Sequence, residues 1–217
     1  MKLDAARLRK AISSEEFDYT LLTSVLSGYS GVRQKVHDLI RSGVIVRVKK
    51  GLYVFGREYN DRPICKELLA NLIYGPSCIS LEYALAFHGL IPERVETVTS
   101  VTPKKDKSFD TPLGLFTYRY LSMEKYAAGI QQTWIDDRHP VLMATIEKAL
   151  CDYVALNRVP VFSSYREAGD FLESDLRIDR DHWSRFNANE LRKLNGRYRN
   201  KSVDRIAEAL VEHGGGV

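Results

Sequence analysis

Residues 21–55 read LLTSVLSGYSGVRQKVHDLIRSGVIVRVKKGLYVF, and how this stretch divides decides the fold. An apolar run from Leu21 and Leu22 to Leu26 ends at Ser27-Gly28-Tyr29-Ser30-Gly31. A second run covers 32–42, and Gly43 follows it. Ile45–Lys49 and Leu52–Phe55 then carry strand-forming residues around Lys50-Gly51. Helix, turn, helix and hairpin, in that order, predict a winged helix-turn-helix, whose second helix enters the major groove while the hairpin lies against the neighbouring backbone.

At about 100° per residue, Val32, Val36, Leu39 and Ile40 fall in one arc wide enough to face a core. Gln34, His37 and Arg41 then point away, with Arg33 and Lys35 on the flanks. Ser30 is placed as the N-cap and as part of the DNA-facing surface, and Gly43 as the stop. Gly51 supplies the positive φ that a tight hairpin needs. On this reading Gln34 suits adenine and Arg33 or Arg41 suits guanine or phosphate, while Arg47, Lys49 and Lys50 hold the DNA backbone.

Charge follows the same division. Residues 1–57 hold eleven Lys and Arg against five acids, a net +6, whereas the whole chain of 217 residues is +4, so 58–217 carries −2. A phosphate-binding footprint concentrates positive charge in this way. Helix pairs with wings also serve as protein-interaction modules, and that reading stays open.

The hydrophobic content of 44% supports a real core, and the length suits one reader with one larger unit. The fold class expected is α+β: a winged helix-turn-helix over 1–57, a polar link at 56–62, and an α+β domain over 63–217 with a small sheet and a helical tail. No 18-residue apolar run and no apolar leader block occur, so a cytoplasmic protein without membrane partners is expected. Cys65, Cys78 and Cys151 lack Cys-x-x-Cys spacing and read as small buried hydrophobes.

Leu3 to Ile12 is assigned to a first helix and Glu15-Glu16 to an acidic link. After Pro63, a helix-starting position, Ile64, Leu68, Leu69, Leu72 and Ile73 recur with helical spacing. Helices are expected at 81–87, 146–156, 165–173, 188–194 and 202–213. Strands are expected at 95–101, 115–121, 130–135 and 141–144, with 103–114 as a lysine-rich loop. The terminal helix, with Val203, Ile206, Ala207, Leu210 and Val211, closes the core.

Three stretches carry a family resemblance: Gly43-Val44-Ile45-Val46-Arg47-Val48-Lys49-Lys50-Gly51-Leu52-Tyr53, Ser80-Leu81-Glu82-Tyr83-Ala84-Leu85-Ala86-Phe87-His88-Gly89-Leu90, and Ala144-Thr145-Ile146-Glu147-Lys148-Ala149-Leu150-Cys151-Asp152. Their order over about residues 20–155 resembles the AbiEi-type antitoxins, the regulator half of AbiE-like abortive-infection operons. The resemblance implies a repressor of its own operon that also opposes a co-encoded nucleotidyltransferase-like toxin.

Outside that likeness, His88 reads either as a ligand-binding histidine or as a helix-end histidine bonded to the last carbonyls, the second being expected. Asp136, Asp137 and His139 read as a solvated turn, since they offer no further ligand at metal-site spacing. Glu147, Lys148 and Asp152 are read as separate charges that either line a partner surface or, for Asp152, cap or bond within the fold, the second being expected. No phosphate loop, nucleophile elbow or zinc-protease helix occurs, so no catalytic site, metal or cofactor is expected. Lys104, Lys105 and Lys107, and Arg192, Lys193, Arg197, Arg199 and Lys201, are candidate secondary contacts for nucleic acid or a partner, or plain solvated faces.

The function expected is a DNA-binding repressor and antitoxin, monomer or weak dimer, acting on promoter DNA that carries inverted repeats if two copies bind. Two alternatives remain: a winged-helix transcription factor with a ligand-sensing second domain, and a nucleic-acid-processing enzyme whose site assembles in that domain.

Overall fold

The computed structural model describes residues 5–213 and is mixed α+β. It opens with α1 (Ala5–Ala11), β1 (Glu16–Asp18), α2 (Tyr19–Val25), α3 (Val32–Arg41), β2 (Ile45–Lys49) and β3 (Leu52–Phe55). The three strands form an antiparallel sheet ordered β1-β3-β2. The expected helices and hairpin are present. Leu3 lies outside the described residues.

β1 corrects the acidic link. Glu16 pairs with Val54 in register, and both Glu15 and Glu16 are buried, so these acids belong to a strand and its approach. Asp18 caps α2 by accepting from Leu21 N at 2.7 Å. Ser30 does not cap α3. The chain enters that helix through Gly31 at φ +79°, a conformation glycine takes without a Cβ clash, and no side chain caps the helix. The stop is as expected, with Gly43 directly after the C-cap Ser42. Gly51, at φ +89°, turns the hairpin.

After the link come α4 (Lys66–Ile73), β4 (Cys78–Ile79), α5 (Leu81–Phe87), β5 (Val98–Thr102), β6 (Lys107–Thr111) and β7 (Gly114–Tyr120). Next are α6 (Met123–Tyr126), β8 (Ile130–Trp134), β9 (Pro140–Ala144), α7 (Ile146–Leu156) and α8 (Tyr165–Asp170). A π-helical turn at Phe171–Asp175 and a 3-10 turn at Arg180–Arg185 lead to α9 (Ala188–Tyr198) and α10 (Lys201–Glu212). The start of α4 differs from expectation: Cys65, not Pro63, sets it, its sulfur accepting from Leu68 N at 3.3 Å.

Six strands form one sheet in the order β6-β7-β5-β4-β9-β8, with β4–β9 and β5–β7 parallel and the other neighbours antiparallel. Its β6 edge corrects the 103–114 loop. α4 packs on β4, β5 and β9, and α7 packs on α5, α9 and α10. Val203, Ile206, Ala207 and Leu210 on α10 are buried, so this helix closes the core as expected, except that Val211 is exposed.

Two hydrophobic clusters fill the molecule. The smaller joins Leu8, Ile12, Leu22, Leu26, Val36 and Leu39 to Phe55. The larger takes in the six-stranded sheet and its helices, and also Val48, Leu52 and Val54 of the hairpin. The β2–β3 hairpin therefore carries one cluster on each side. Gly56 keeps its end tight: a Cβ there would sit 1.9 Å from Gly43 O.

Inside the larger cluster lies a fully buried polar network. Lys148 and Asp152, one helical turn apart on α7, form an ion pair at 3.2 Å, which corrects their reading as separate charges. Lys148 Nζ also donates to Lys125 O at 3.0 Å and to Tyr198 Oη at 3.2 Å. Asp152 accepts from Ser80 Oγ at 2.6 Å and from the Tyr198 hydroxyl. Burial pushes the Asp152 carboxyl up against the pull of Lys148, and burial with the neighbouring carboxylate drives the Tyr198 phenol far above its usual range. Asp152 is thus bonded within the fold, as expected.

Candidate nucleic-acid interface

α3 offers the face that its sequence implies. Val36 and Leu39 are buried, Val32 and Ile40 half-buried, and Arg33, Gln34, His37 and Arg41 exposed. Asp38 sits among them, accepting from Gln34 Nε2 at 3.1 Å and from Arg41 Nη2 at 3.0 Å. Both donors are thereby preset on an outward acid, which holds their side chains together on one strip. Lys35 is half-buried, its ammonium 5.5 Å from the Tyr29 ring centre. Ser30 is exposed just before the helix.

The hairpin divides its three cations. Arg47 and Lys50 are exposed. Lys49 is turned inward, donating to Ile73 O at the end of α4 at 2.5 Å. The strand register shifts between Arg47 and Lys49, and a bulge of this kind re-aims the side chain beside it. Lys49 is therefore corrected from a phosphate contact to a strut between hairpin and α4. Burial, then Lys107 and Lys104, lower its pKa.

Two stretches far apart in sequence meet here. Lys104 and Lys107 each place an ammonium 5.4 Å from the Tyr74 ring centre, beside the carbonyl that holds Lys49. Lys105 is exposed next to them. The other basic group stays apart. Arg192, Lys193 and Arg197 ride on α9, Arg199 caps it at φ +52°, and Lys201 begins α10. Lys193 pairs with Glu190 at 3.1 Å, and Tyr198, which lies among these cations in sequence, points into the buried network. Among the described residues no ion pair or ring contact joins this group to Lys104 or Lys107.

The turn before β9 is not simply solvated. His139 is buried, with Nδ1 2.7 Å from Asp136 Oδ2 and Nε2 3.6 Å from Glu16 Oε2 on β1. Glu16 also accepts from Cys65 N at 2.8 Å, which ties β1 to the start of α4. Sequence periodicity gives no signal for such a contact, because its partners are 123 positions apart, from 16 to 139. His88 is likewise structural through another partner than expected: Nε2 lies 3.0 Å from Ala144 O on β9.

Burial raises the Glu16 carboxyl above its ordinary 4.5, and its Oε2 has no hydrogen-bond partner. The folded protein then holds this proton to higher pH than the unfolded chain does, so the group favours the fold below 4.5 and that advantage is lost as pH climbs through the raised value. Glu16→Gln is expected to raise the melting temperature relative to the parent at pH 7 and to leave the difference near zero at pH 4. Melting curves across pH 4–7 check this, and a constant difference at every pH refutes it.

Cys65, Cys78 and Cys151 are free and buried, and burial pushes the Cys65 thiol up to about 12. Among the described residues no group of three or more His, Cys, Asp or Glu is placed to hold a metal ion, and no helix is long and apolar enough to cross a membrane. The chain matches no protein-family model and no curated protein sequence.

Proposed function

We propose that this protein is a winged-helix repressor of its own operon and the antitoxin to a co-encoded nucleotidyltransferase-like toxin. The observation that carries the DNA half is the exposed α3 strip of Arg33, Gln34, His37 and Arg41, set behind a buried Val36 and Leu39 and beside the basic hairpin. That strip supplies bidentate donors and acceptors for base edges, and Arg47 and Lys50 supply charge for phosphates. Promoter DNA is the partner in this half. The antitoxin half rests on the AbiEi resemblance and is assigned to the sequence after the hairpin, within the cytoplasm.

The test is binding of the full chain to its own upstream DNA against a shuffled duplex of equal length over a salt series. Preference of about 10³ or more with a steep salt slope supports a sequence-reading repressor. Equal, weak binding to both duplexes removes that reading. For the antitoxin half, the full chain is expressed beside the neighbouring toxin gene, and failure to restore growth refutes it.

The split among the hairpin lysines gives a sharper expectation. Lys50→Ala should weaken binding to every duplex and lower the salt slope by about 1. Lys49→Ala should leave the slope unchanged, since its side chain is half-buried as well as engaged by Ile73 O. A slope that falls with Lys49→Ala instead would return that residue to the DNA contact.

A further inference from the structure

Beside the hairpin lies a shallow, open cleft of about 660 Å³, lined by Tyr74, Pro103, Lys104, Lys105, Asp106 and Tyr120. The volume falls within the range of small-molecule sites. Tyr74 follows α4 and is fixed edge-on against Tyr118, with ring centres 5.3 Å apart, and lies 5.9 Å from Phe109. Tyr120 ends β7 and is 52% exposed, although a large aromatic ring gains from cover. The walls of the cleft are thus one rigid ring, one uncovered ring and a proline.

Its rim is cationic. Lys104 Nζ is steered by Gly75 O at 2.5 Å, Lys107 leans over the Tyr74 and Phe109 rings, and Lys105 has no hydrogen bond or ion pair among the described residues. The one acid, Asp106, is already engaged: it accepts from Tyr120 N at 2.6 Å and lies 3.8 Å from Arg119 Nε. It therefore does little to neutralise the lysines. Lys49 joins the group from the hairpin side, where burial first, and then Lys107 and Lys104, lower its pKa. Like charges brought together around open space are relieved by an anion.

A phosphate alone needs no tyrosines, and a neutral aromatic needs no lysines. We propose that this cleft binds a nucleotide, the base lying against Tyr74 and Tyr120 and the phosphates meeting Lys104 and Lys105. Aromatic side chains hold bases by stacking with little regard to their identity, and lysine is a flexible point charge suited to phosphate. The site is separate from the α3 strip and stands whether or not that strip reads DNA. It also gives the ligand-sensing alternative a definite location.

The test is calorimetric titration of the full chain with ATP, adenosine and inorganic tripolyphosphate. Tyr120→Ala and Lys105→Glu are the variants, since both side chains are exposed and neither joins a core cluster. Circular dichroism checks that each variant is folded. ATP is expected to bind saturably, with adenosine and tripolyphosphate each about 10-fold weaker or more, and with each variant weakening ATP by about 10-fold. Tripolyphosphate binding as tightly as ATP, with Tyr120→Ala neutral, would make this a plain anion patch and overturn the proposal. So would adenosine matching ATP, or no saturation by ATP at millimolar concentration.

Discussion

Asp152→Ala is expected to lower stability by about 3–5 kcal/mol, which for a chain of this size shifts the melting temperature by roughly 6–20 °C. Lys148 is fully buried on α7, and Asp152 is the only carboxylate among its described hydrogen-bond and ion-pair partners, the others being the Lys125 carbonyl and the Tyr198 hydroxyl. Removing Asp152 leaves an ammonium enclosed in apolar surroundings and frees the Ser80 and Tyr198 hydroxyls from their acceptor. The paired replacement Lys148→Met with Asp152→Leu removes both charges and should recover most of the loss. Thermal melts of parent, single and double variants measure this. A single variant as stable as the parent would show that this buried network, which reaches α9 through the Tyr198 hydroxyl, does not stabilise the fold.

The second large effect concerns the proposed DNA contact. Replacing Arg33, Gln34 and Arg41 together by alanine should reduce a promoter preference of about 10³ to near unity, each side chain contributing roughly 1–3 kcal/mol of base discrimination. Binding to shuffled DNA should fall less, because Arg47 and Lys50 are untouched. All three side chains are exposed, so the fold should be unaffected. A retained preference would move the reading surface elsewhere. The same variant should still restore growth beside the toxin if the two activities are separate, and its failure there would make antitoxin action depend on α3.

How much of this was readable in the sequence depends on how each element is held. α3, β2, β3 and α5 were legible because apolar period and flanking glycines agree there, as at Gly43, Gly51 and Gly89, and α7 by its apolar run alone. β6 was not. It is an edge strand whose Lys107, Ser108 and Asp110 are exposed, so the single Phe109 gives no apolar period to betray it, and its register with β7 and the packing of Phe109 on the core hold it. β1 and β4, at three and two residues, are too short for any period.

The candidate site divides in the same way. The outward strip of α3 was legible because helix geometry alone fixes which side chains share a face. The inward turn of Lys49 was not, because a bulge breaks the strand's alternation and the acceptor, Ile73 O, belongs to a different element. The meeting of Lys49 with Lys104 and Lys107, and of Glu16 with His139, arises from tertiary packing between segments far apart in the chain. Local patterns hold no record of it.

The hairpin that carries Val48, Leu52 and Val54 into the larger cluster makes the N-terminal segment, the proposed reader, a poor candidate for cut-and-paste engineering. A chimera joined at residue 57, with a foreign segment ahead of it, would lose the hairpin's share of the larger cluster and the Lys49 bond to Ile73 O. The graft would expose apolar surface at the seam and invite aggregation. A transplant that keeps this chain's β2 and β3 and exchanges only the outward residues of α3 avoids the mismatch, which makes α3 the place to alter the proposed DNA contact.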